Sequence, residues 1–154
     1  GSMRKKTVLF VCPFNSARSQ MAEGLLNARC GSRYDAYSAG ITTAGLNPNA
    51  VAVMREIGID IAYQKSKNLS FFGEARFDYL ITLCDNARTA LGGRVPVGAI
   101  RIHHGFESPS EAHIDKEVVL AEFRTLRDDI DAWLTEIFPD CPARPECGGG
   151  RGEE

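Results

Sequence analysis

Cys12-Pro13-Phe14-Asn15-Ser16-Ala17-Arg18-Ser19 places a cysteine and an arginine on one short segment with five residues between them. A loop closed around an anion can aim successive backbone N–H groups at its centre. A helix that follows adds the positive end of its dipole. Arg18 can grip two oxygens of such an anion at once. Sulfur held in a field of this kind is favoured as the thiolate, the nucleophilic form. Ser19 can donate a hydrogen bond to that sulfur, and Asn15 can hold the loop through neighbouring backbone groups. The segment therefore reads as an oxyanion-binding loop, Pro13 to Arg18, with Cys12 as nucleophile and phosphate or arsenate as fitting ligands. The bare spacing also occurs as a buried thiol at a strand end and a surface arginine. The strand–loop–helix setting and the serine after Arg18 are what make it a site.

Elements on both sides must hold that loop. Thr7 to Val11 (TVLFV) is a short apolar run rich in β-formers, read as a buried strand. From Ser19 to Ala28, Met21, Ala22, Leu25 and Leu26 recur at helical spacing. Further strands are expected at Tyr34 to Ala39, Asp78 to Leu83 and Ala99 to His103. A second helix is expected from Pro48 to Ile57, with Gly58 as its stop. Val119, Phe123, Leu126, Ile130, Trp133 and Ile137 form one apolar stripe on a long last helix, ended by Pro139. Strands alternating with helices predict an α/β domain with a mostly parallel sheet covered on both faces.

The chain has 154 residues, 44% hydrophobic and 25% charged, which fits one domain with one core. Its 18 basic and 20 acidic residues give a net charge of −2, so nothing argues for nucleic acid or membrane as a partner. No apolar run approaches the ~20 residues of a membrane span. Gly1 to Met3 reads as a tag remnant plus an initiator methionine, and residues 4–139 as the domain. Residues 140–154, rich in Pro, Gly and charge, read as a flexible tail.

The five cysteines are Cys12, Cys30, Cys84, Cys141 and Cys147. Their odd number, in a chain long enough for its own core, argues against a disulfide scaffold and for a reduced cytoplasmic protein. No cysteine pair or histidine pattern suits a metal. Cys30 reads as inert, and Cys141 and Cys147 as tail thiols. His103 and His104 are expected near the site mouth in a structural role, and Trp133 in the core.

The segment VLFVCPFNSARSQMAEGLL resembles the opening of the low-molecular-weight protein tyrosine phosphatase superfamily, and most closely its thiol-dependent arsenate reductases. The likeness continues in YSAG, LNPNAVAVMREIGIDI, QKSKNL, FDYLITLCDNAR and IHHGFESP. It implies a single domain with a four-stranded parallel sheet, helices on both faces, and Cys12 as the attacking thiol. In the thioredoxin-linked reductases a second cysteine ends the third strand and a third follows seven residues later. Cys84, which opens CDNAR, matches the second. Leu91 stands at the third position, so the relay is incomplete, although a tail cysteine could replace it. The phosphatases of the superfamily place an Asp before a Pro as general acid. Here Ser108 precedes Pro109, and Glu107 is the nearest substitute. A general acid contributes roughly 10²–10⁴-fold, so hydrolysis of alkyl phosphates is expected to be poor.

Three functions follow. The first is arsenate reduction by Cys12 and Cys84, with no bound cofactor and with glutaredoxin, thioredoxin or a small thiol as external donor. A small thiol could alternatively attack the arseno-cysteine itself. The second is phosphate monoester hydrolysis through phospho-Cys12. The third is a non-catalytic phospho-ligand binder or redox sensor.

Overall fold

The computed structural model describes residues 4–92 and 99–141. Four parallel strands run β1 (Lys6–Cys12), β2 (Tyr34–Gly40), β3 (Tyr79–Thr82) and β4 (Ile100–His103), in the spatial order β2-β1-β3-β4. Four α-helices join or follow them: α1 (Arg18–Cys30), α2 (Pro48–Arg55), α3 (Asp85–Leu91) and α4 (Lys116–Ile137). A 3-10 turn covers Leu69–Phe72. The expected fold class is the observed one.

β1 is central and buried on both faces, which is why its sequence is continuously apolar rather than alternating. Val8 and Phe10 face a core shared with α1, α2 and α4; Leu9 and Val11 face a smaller cluster under α3. The stripe of α4 buries Val119, Phe123, Leu126, Ile130 and Leu134 in the larger core. Each such side chain contributes about 1.5–3 kcal/mol.

The chain order reverses beside β1, because β1 connects to β2 on one side while β3 returns on the other. Ligand sites in open parallel sheets lie outside the carboxyl ends of the strands at such a point. Cys12 ends β1 level with Gly40, and Val11 stands level with Thr82.

The structure departs from the sequence reading in three places. Helix α3 was not expected: at seven residues it is too short to show a period, and it buries only Ala87 and Leu91. Helix α2 stops at Arg55, and the turn that follows places Gly58 at φ 81°. The third concerns the cysteines. Cys30 is bonded to Cys141 as a disulfide, with Cα atoms 5.3 Å apart, well within the range that bond requires. Neither thiol is therefore free, and Cys141 does not hang from a loose tail. The packing of α1 against α4 brings their carboxyl ends together, and Asp140 is tied by the Tyr34 hydroxyl at 3.1 Å. Residues 142–154, with Cys147, lie outside the described residues.

Candidate active site

The segment after β1 forms a loop whose carbonyls all point outward. Cys12, Pro13, Phe14 and Ser16 carbonyls accept N–H bonds from Ile41, Thr42, Ala44 and Asn47, at 3.3, 2.9, 3.2 and 2.9 Å. The Asn15 carbonyl accepts from the Gln20 side chain at 3.0 Å. With the carbonyls committed outside, the amides of Phe14 to Ala17 have no acceptor among the described residues. Helix α1 begins at Arg18 behind Ala17, with no side-chain cap, whereas α2, α3 and α4 are each capped by a side chain. The loop and the helix start thus present uncommitted N–H groups, the chemistry of an anion cradle.

Two backbone features allow this shape. Asn15 adopts φ 48°, in the left-handed region that Asn tolerates better than most residues. Gly40 lies against the loop, and a Cβ there would stand 2.7 Å from the Asn15 nitrogen and 2.8 Å from the Phe14 carbonyl carbon.

The buried Asn15 side chain organises the site. Its Oδ1 accepts from the Lys67 amide at 2.7 Å and from Gln20 at 3.0 Å, which fixes the amide's orientation because a backbone N–H can only donate. Its Nδ2 then gives one proton to Ser19 Oγ and one to Ser38 Oγ, both at 2.9 Å. Ser38 passes its own proton to Glu23 Oε1 at 2.5 Å. Ser19 Oγ lies 2.8 Å from Cys12 Sγ, the acceptor in reach of its own proton among the described residues. Burial pushes the Glu23 carboxyl above the usual carboxylate range, opposed by the Ser38 hydrogen bond and the Lys67 charge. Burial likewise lowers the Lys67 ammonium, against the pull of Glu23.

Arg18 turns toward the loop after β4. Its Nη1 donates to the Phe106 carbonyl at 2.8 Å, and the Phe106 ring is stacked on His104 and set edge-on to Trp133. Glu107 and Ser108 follow Phe106 on the surface, and neither side chain has a hydrogen-bond partner among the described residues. Trp133 is thus only partly core, with one face serving the loop.

Cys84 caps α3, accepting the Ala87 N–H on its sulfur at 3.2 Å, and is 8% exposed. Leu83 extends the β1–β3 pairing by one bond to Val11, so Cys84 follows directly beside the end of β1. Its side chain belongs to the α3 cluster, while Cys12 bonds to Ser19 on the α1 side. The two thiols therefore face opposite sides of the sheet. Leu91 is buried in that same α3 cluster. Groups of three or more metal-binding side chains are absent among the described residues.

Sequence reasoning named the loop residues and Cys84 but missed Gln20, Glu23, Ser38 and Lys67. For Gln20, Glu23 and Ser38 the one signal was a polar residue on a helix or strand packed against the core; Lys67, in a loop, read simply as part of a solvated face. Ser38 and Lys67 also lie within the YSAG and QKSKNL segments.

A strand–loop–helix segment with uncommitted amides around a buried free thiol, at the sheet's switch point, has the chemistry to hold an oxyanion against sulfur. Residues 7–138 match the low molecular weight phosphotyrosine protein phosphatase family, and the chain belongs to that family. It is 43% identical to an arsenate reductase of Halalkalibacterium halodurans and 44% to one of Bacillus licheniformis, each over 128 residues, 83% of this chain and 91% of the relative. A solved arsenate reductase in the oxidized state superposes with a TM-score of 0.74 at 30% identity, covering 87% of this chain and 97% of the other. A low molecular weight protein tyrosine phosphatase of T. tengcongensis superposes with a TM-score of 0.71 at 25% identity, covering 88% and 99%.

Proposed function

We propose that the protein reduces arsenate to arsenite, with Cys12 as nucleophile, Cys84 as the second thiol and an external thiol or redoxin as electron donor. The observation that carries this reading is the second free thiol, Cys84, beside the end of the strand that bears the first. Hydrolysis of a phosphate ester has no use for it. Arsenate reductases among the relatives support the same substrate.

The Cys12 thiolate attacks arsenic within the loop, and a hydroxide leaves as water after protonation. Arg18 and the loop amides hold the remaining oxygens and their charge. Cys84, as thiolate, then attacks the Cys12 sulfur. The S–As electron pair passes to arsenic, which falls from As(V) to As(III), and arsenite departs as the Cys12–Cys84 disulfide forms. Two thiol equivalents from the donor restore both cysteines and leave as a disulfide. Because Leu91 offers no third thiol, the donor attacks the Cys12–Cys84 bond itself. The thiols start on opposite faces of the sheet, so the first turn of α3 must open before they can meet.

The test supplies arsenate with glutathione and glutaredoxin, with thioredoxin, or with neither, alongside an aryl phosphate. Donor-dependent arsenite production that is lost in Cys84→Ser is expected. Aryl phosphate turnover without any arsenite, unaffected by that substitution, would replace the reading with a phosphatase.

A further inference from the structure

Helix α3 is short; besides the packing of Ala87 and Leu91 it is held by side-chain hydrogen bonds at its two ends. Both attachments come from one face of β4. Residues i and i+2 of a strand share a face, and Arg101 and His103 are such a pair; Ile102 between them turns to the opposite core. At the carboxyl end of α3, Arg101 donates to the Gly92 carbonyl at 2.5 Å and to the Arg88 carbonyl at 3.4 Å. At the amino end, His103 Nε2 stands 2.9 Å from Asp85 Oδ1, while its Nδ1 is held 2.7 Å from the Thr82 hydroxyl. Thr82 orients the ring, and the ring reaches Asp85, the residue next to Cys84. The His103 side chain is 19% exposed and that of Asp85 79%, so a largely buried ring grips an exposed carboxylate.

We propose that Arg101 and His103 form a two-point clamp on α3, and that the His103–Asp85 contact sets how readily Cys84 is released from the helix start. His103 is then a positioning residue: it touches neither the oxyanion nor a reacting sulfur, but governs the opening that the second thiol needs. The clamp rests on the proposed reductase reading for its purpose, not for its existence. Arg101, at the far end, keeps the helix in register while its first turn opens.

The clamp is read by the rate at which iodoacetamide alkylates Cys84 in the intact protein, followed by peptide mapping. His103→Phe, which keeps ring size but cannot bond Asp85, is expected to raise that rate about tenfold. His103→Gln, which can still donate to Asp85, should restore it to near the wild-type value. Arg101→Ala should change it less than His103→Phe does. Aryl phosphate turnover, which reports the Cys12 loop, should be the same in all. A purely structural role would raise alkylation while lowering aryl phosphate turnover, and would not be rescued by Gln. Asp85→Ala, at an exposed side chain, provides the same test if His103→Phe does not fold. Unchanged Cys84 alkylation in His103→Phe, or in Asp85→Ala where that variant stands in, overturns the clamp. In the folded variants, disulfide formation after one dose of arsenate should speed up in parallel with alkylation. If arsenate oxidises no variant, the reductase reading fails, and the alkylation rates still decide the clamp.

Discussion

Ser19 Oγ lies 2.8 Å from Cys12 Sγ and accepts a proton from Asn15 Nδ2 at 2.9 Å. Among the described residues the Cys12 sulfur is the acceptor in reach of the Ser19 hydroxyl proton. Ser19→Ala should therefore slow Cys12 chemistry by about 10–100-fold, the value of a hydrogen bond to a charged group. Single-turnover rates with aryl phosphate check this; a rate equal to that of the wild type contradicts it.

Gly40 supports the same loop from outside. A methyl group there would press on the Asn15 nitrogen and the Phe14 backbone, neither of which is a flexible chain end. Gly40→Ala should cost about 1–3 kcal/mol of stability and abolish phosphate binding, while Gly45→Ala, at φ 81° with open space around it, costs stability alone. Calorimetric titration with phosphate alongside thermal melts separates the two.

The Cys30–Cys141 disulfide spans 111 residues and joins the end of α1 to the residue segment after α4. Its removal should cost about 2–4 kcal/mol. Cys30→Ser and Cys141→Ser should melt alike, and reductant should bring the wild type down to their level without lowering theirs. A melting curve indifferent to reductant would show that the bond contributes nothing.

Acid stability should depend on Asp78. Hydrogen bonding from Arg4, and then from the Thr7 amide, holds its carboxyl below the usual range. A lowered folded-state value means stability that is present above the unfolded value of about 3.9 and is lost as pH falls through the folded one. Asp78→Asn should be less stable than wild type at neutral pH and should lose less on acidification. Melting temperatures from pH 7 to pH 2 give the comparison.

The residues within the chemical loop were readable because their logic is local: a thiol, an arginine and a serine on one turn between a strand and a helix. The large core was readable for a similar reason, since α4 carries its stripe for 22 residues. What escaped was assembled over distance. Gln20, Ser38 and Lys67 meet Asn15 only once β1, β2 and the segment after α2 are folded together, and none has a local period. Cys30 and Cys141 pair because two helices end side by side, and their spacing says nothing of it. Helix α3 escaped because its two buried residues, Ala87 and Leu91, show no pattern that a loop could not.

The central claim is tested most directly by one equivalent of arsenate on fully reduced protein with no donor present. Peptide mapping and arsenite assay should give one arsenite per chain and one disulfide joining Cys12 to Cys84, with neither formed in Cys84→Ser. Arsenite release without that disulfide, or no arsenite at all from a protein whose Cys12 still hydrolyses aryl phosphate, would contradict it.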